Sequence, residues 1–63
     1  MDDDTLHQAV DKMIKLHGGQ AMSVSALKAE DMLAKGNIEG FYAWNRICAA
    51  ITDIERKARP PAP

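Results

Sequence analysis

The sequence predicts an all-α fold: a small three-helix unit in which helices two and three form an antiparallel hairpin, followed by a disordered proline-rich tail. Three observations carry this expectation. Apolar residues recur at spacings of three and four through three segments of helical length. Gly18-Gly19, Gly36-Asn37 and the Pro60-Pro61-Ala62-Pro63 run punctuate those segments. Each segment also holds one acid four residues before a lysine, Asp11 with Lys15, Asp31 with Lys35 and Asp53 with Lys57, the orientation that supports a helix by about 0.2–0.5 kcal/mol per pair.

The first helix is expected over about 4–17, behind a flexible acidic N-terminus at residues 1–3. Leu6, Val10, Met13 and His17 form its apolar line, widened by Ala9 and Ile14, with Asp4 as N-cap and Gly18 as the residue that ends it. The second is expected over about 20–35, with Met22, Ala26, Ala29 and Leu33 in line and Ser25 and Met32 beside them. Its small central side chains let a neighbouring helix approach closely. Gly36 ends it and Asn37 caps the third helix, expected over about 38–57, which buries Phe41, Trp44, Ile47 or Cys48, Ile51 and Ile54. Prolines cannot continue a helix, so 58–63 is expected to be a disordered tail and 4–57 a single domain. The predicted core is Trp44, Phe41, Ile47, Ile51, Leu33 and Val10, closed around Trp44.

At 63 residues, 46% of them apolar, the chain lies near the lower limit for a self-sufficient core. The usual reinforcements can be taken in turn. One cysteine, Cys48, excludes an internal disulfide, and His7, His17 and Cys48 are too scattered for a structural zinc, so no metal and no cofactor is expected. Self-association or docking on a larger protein is the remaining means of support. Net charge is −1, with six acids and three bases in residues 1–31 and three acids and five bases in 32–63, so there is no global field to attract nucleic acid. The acidic start lacks the basic region of a secretory signal, and no apolar run reaches the ~18 residues of a membrane span; a cytoplasmic protein is expected.

His17-Gly18, Ala21, Ala29, Gly36, Asn37, Gly40, Trp44, Ile47, Ala50 and Ile51 follow a spacing that resembles a family of short bacterial helical proteins of unknown function. Its members read His-Gly, an alanine-rich helix, Gly-Asp, a second glycine, then Trp and Ile-x-x-Ala-Ile. The resemblance runs without a gap from about Met13 to Ile54. It implies a helical fold and no known activity. Asn37 stands where the family more often has Asp, which preserves an N-cap, and Phe41 and Tyr42 make this turn more aromatic than the family pattern.

No residue set meets the demands of catalysis. His17, in the last turn of helix one, is placed to cap carbonyls and meet the dipole, and no partner at useful spacing makes it a base. Cys48 lies beside the apolar stripe and lacks the adjacent base of a nucleophile, so its expected state is a small buried hydrophobe; no enzyme is predicted. Gly40, inside the first turn of helix three, costs about 1 kcal/mol relative to alanine, which points first to close packing against helix one or helix two and second to a partner approaching the backbone there. Phe41 and Trp44 share the core face, whereas Tyr42 with Asn45, Arg46 and Ala49 faces outward, and Tyr and Arg are enriched at interface hot spots.

The function these features point to is a non-enzymatic protein–protein interaction module, either a homodimer or an accessory subunit of a larger complex. Its candidate interface is Tyr42, Arg46, Asn45, Met22 and Met32. Two alternatives stand beside it. One is a small inhibitor from a mobile element that presents Asp2, Asp3, Asp4, Glu30 and Asp31 to host machinery; the other is a weak nucleic-acid-binding accessory that uses the basic turn Arg56, Lys57 and Arg59.

Overall fold

The computed structural model describes residues 2–58 and is built from helices throughout that span. Helix α1 is Asp3–His17, a single 3-10 turn covers Gly18–Gln20, α2 is Ala21–Ala34 and α3 is Ile38–Ala58. The chain therefore has two helical runs rather than three separated helices: α1 leads into α2 through the 3-10 turn with no coil between them, and the Gly18-Gly19 break that the sequence predicts is a local backbone bend at Gly18. Gly18 makes that bend at φ +54 and donates its amide to the Ile14 carbonyl, a conformation open to glycine and strained for a side chain.

The N-cap of α1 lies two residues earlier in the acidic segment than expected: Asp2, and not Asp4, takes that role, with Oδ1 accepting the Thr5 amide at 2.8 Å. Any of the three aspartates supplies the needed oxygen. Capping at Asp2 lengthens the helix and leaves Asp3 and Asp4 in its first turn, where the dipole favours negative charge. Residues 2 and 3 are thus part of the helix and its cap, not a separate flexible segment.

The α2–α3 junction is closed by its own backbone. Gly36, at φ +78, donates to the Leu33 carbonyl at 3.0 Å and Asn37 donates to the Met32 carbonyl at 2.8 Å, the paired bonds of a Schellman ending. Asn37 then caps α3 through Oδ1, which accepts the Gly40 amide at 2.9 Å. Contacts across the two helices link Met32 with Gly40, Lys28 with Trp44 and Met22 with Cys48 and Thr52, so α2 and α3 run antiparallel. The basic end of α3 carries the Asp53–Lys57 ion pair at 3.3 Å, and Asp31–Lys35 closes at 2.9 Å; among the described residues Asp11–Lys15 forms none.

The core is smaller and differently centred than expected. Val10, Met13, Ala21, Ile47 and Ile51 are buried together, with Leu6, Ala9, Ile14, Val24, Trp44 and Ala50 packed around them. Trp44 and Phe41 are half-buried, so the domain closes around Ile47 and Ile51 rather than around Trp44. Leu33 is 50% exposed and Ile54 45%, contrary to their expected place in the core. The correction has one cause in α2: the buried line is Ala21, Ser25 and Ala29, with Met32 half-buried, one residue earlier than Met22, Ala26 and Leu33. Small residues at four-residue spacing let α3 approach the α2 backbone, and that contact outweighs burial of the larger neighbours. Residue 58 continues α3, and the expected tail at 59–63 lies outside the described residues.

Candidate functional site

Helix α3 is apolar on two sides. One side carries Ile47 and Ile51 into the core; the other presents Ile38, 49% exposed, and Tyr42, 62% exposed, together with exposed Asn45 and Arg46. Glu39, Tyr42, Ala43 and Arg46 line an open groove on that outer side, and half-buried Ala43 forms its floor. The spacing of these four along one helix, i, i+3, i+4 and i+7, places them as neighbours on adjacent turns. The Tyr42 ring lies 5.6 Å from that of Phe41, tilted by 53°, so the tyrosine is buttressed at its base while its outer end is in solvent. Glu39 and Arg46 stand two turns apart, roughly 10 Å by helical rise, too far to pair with each other. The two ion pairs among the described residues use neither of them.

The other candidate interface residues are placed differently. Met22 is 37% exposed, and its Sδ lies 2.9 Å from Thr52 Oγ1. That hydroxyl is also 2.9 Å from the Cys48 carbonyl, and its one proton serves only one acceptor at a time. Met32 is half-buried with Sδ against Gly40 and 3.5 Å from Asn37 Nδ2, so it belongs to the α2–α3 junction and not to the face that holds Tyr42. Tyr42, Asn45 and Arg46 are brought together; Met22 and Met32 are not brought to them.

Ser25 sits in the sequence as one more small residue of α2, yet its Oγ is fully buried and has no hydrogen-bond partner. Cys48 is half-buried with Sγ 3.5 Å from the Met22 carbonyl, towards which the thiol donates. Gly40 is packed as its position implies: a Cβ there would stand 2.9 Å from both Met32 Sδ and Asn37 Nδ2. His17 is exposed at the end of α1. Among the described residues there is no group of three or more His, Cys, Asp or Glu arranged to hold a metal ion, and no helix long and apolar enough to cross a membrane.

Set against protein-family models, curated proteins and solved structures, the chain matches none of them.

Proposed function

We propose that this chain is a non-enzymatic helical interaction module, working as a homodimer or as an accessory subunit, with the outer face of α3 around Tyr42 and Arg46 as its contact surface. One observation carries the reading: an aromatic side chain 62% exposed beside an arginine, over a groove floored by alanine, on a helix whose opposite side already makes the core. Tyr and Arg on one rigid element supply large contact area and directional hydrogen bonds at little entropic cost. The antiparallel hairpin fixes that element, so the groove is presented without rearrangement.

Tyr42→Ala is the test, because it removes the exposed ring while leaving the core untouched. Light scattering, concentration-dependent melting and capture from a native lysate are compared for the two chains. The reading requires that association by the parent chain drop at least tenfold in the variant with the helical spectrum unchanged. A chain that neither self-associates nor captures any protein in a Tyr42-dependent manner overturns it.

A further inference from the structure

The four groove residues are self-complementary. Glu39 and Arg46 mark the two ends, Tyr42 and Ala43 the middle, and all four lie on one outward face of α3. If a second α3 crosses this one in the opposite direction about a two-fold axis between residues 42 and 43, Glu39 meets Arg46 of the second copy, Arg46 meets Glu39 of the second copy, and each Tyr42 meets the other copy's Ala43. A parallel crossing in register would instead set Glu39 against Glu39 and Arg46 against Arg46. Charge order alone therefore selects the antiparallel, isologous arrangement.

Shape agrees with charge. A hole made by residues at i, i+3, i+4 and i+7 is the receptacle that a knob from a facing helix enters. Tyr42, the most exposed aromatic side chain of the described residues, is the knob, and Ala43 is the small residue that leaves room beneath it. Neither charge is engaged within its own chain, so an intermolecular pair replaces solvent and not an existing ion pair.

We propose that the occupant of this groove is a second copy of the same chain, crossed antiparallel on α3 with two Glu39–Arg46 ion pairs flanking the two Tyr42 rings. This rests on the interaction-module reading and assigns its partner. The contact spans about two helical turns on each side, below the ~1,600 Å² of a standard interface, so the dimer is weak and concentration-dependent.

The test is an exchange of charges in the full chain, followed by sedimentation equilibrium from about 10 µM to about 1 mM, the range in which a small interface is populated. Glu39→Arg and Arg46→Glu each set like charges opposite one another, and each is expected to weaken self-association at least tenfold. Mixed one to one, the two variants place two arginines opposite two glutamates and associate as a heterodimer. The double variant E39R/R46E restores self-association. Circular dichroism on each variant confirms that the helices are retained. A parent chain that stays monomeric throughout overturns the proposal. So does a parent dimer that both single variants reproduce, although that outcome leaves the interaction-module reading standing, to be judged by Tyr42→Ala.

Discussion

The ammonium of Lys28 stands 5.7 Å from the centroid of the Trp44 ring, which puts the single tryptophan beneath a cation at the edge of the core. Half-buried there, Trp44 contributes less than a fully enclosed indole. Trp44→Ala is expected to cost about 2 kcal/mol, below the ~3–5 kcal/mol of a fully buried tryptophan. Lys28→Ala should cost about 0.5–1 kcal/mol and change the tryptophan emission. Urea denaturation followed by far-UV circular dichroism measures both, and a Trp44→Ala loss above the buried range would return the indole to the centre of the core.

Ser25 carries a fully buried hydroxyl without a partner, held where α2 meets α3. Removing the oxygen removes an unreturned desolvation cost and leaves a side chain of similar shape. Ser25→Ala is expected to stabilise the protein by about 1 kcal/mol. A higher denaturation midpoint with an unchanged slope is the result to look for; a lower midpoint would mean the hydroxyl is satisfied.

Gly40 and Asn37 are coupled, because the amide of the first is capped by the side chain of the second and a Cβ at 40 would collide with that side chain. Asn37→Ala should cost about 1 kcal/mol. Gly40→Ala is expected to be destabilising alone, despite alanine's better helix propensity, and less so in the Asn37→Ala background, where Met32 Sδ alone still crowds the new Cβ. Additive effects in the double-mutant cycle would show that cap and glycine act independently.

Asp2 titrates below its ordinary value of 3.8, chiefly because the Thr5 backbone amide donates to its carboxylate, with the Thr5 side chain adding to the effect. A carboxylate depressed in the folded state stabilises fully above its unfolded pKa and loses that contribution as pH falls through the lower, native value. The Thr5 amide resonance should follow this titration between about pH 5 and about pH 2. Asp2→Asn keeps a capping oxygen and should abolish the pH response at Thr5. Persistence of the same response in that variant would assign it to another group.

Much of this fold is legible in the chain, and the misplacements have a physical reason. Gly36-Asn37 reads directly as a helix ending and a cap, since both roles depend on local backbone geometry. Val10, Ile47 and Ile51 are legible because α1 and α3 have strongly two-sided apolar patterns. Helix α2 is apolar nearly all round, with Met22, Val24, Leu27 and Leu33 pointing in several directions, so hydrophobic period alone leaves its rotation undetermined. The informative signal was the small residues Ala21, Ser25 and Ala29 at four-residue intervals, which mark where another backbone comes close. Tyr42 and Arg46 could be placed on an outer face by helical spacing, whereas the groove with Glu39 and Ala43 required the observed exposure of α3.

The closed turn at Gly36-Asn37 also orders events in time. The hydrogen bonds between α2 and α3 join residues 26 and 30 positions apart, Met22 with Cys48 and with Thr52, and their pairing closes over the short junction at residues 35–37. Topologies dominated by such near-neighbour contacts fold on the microsecond-to-millisecond scale. Helix α1, which buries only Val10 and Met13 and joins α2 through Gly18, is expected to dock after that hairpin has formed. It is correspondingly the first element to detach, and its amides should exchange with deuterated solvent sooner than those around Ile47 and Ile51.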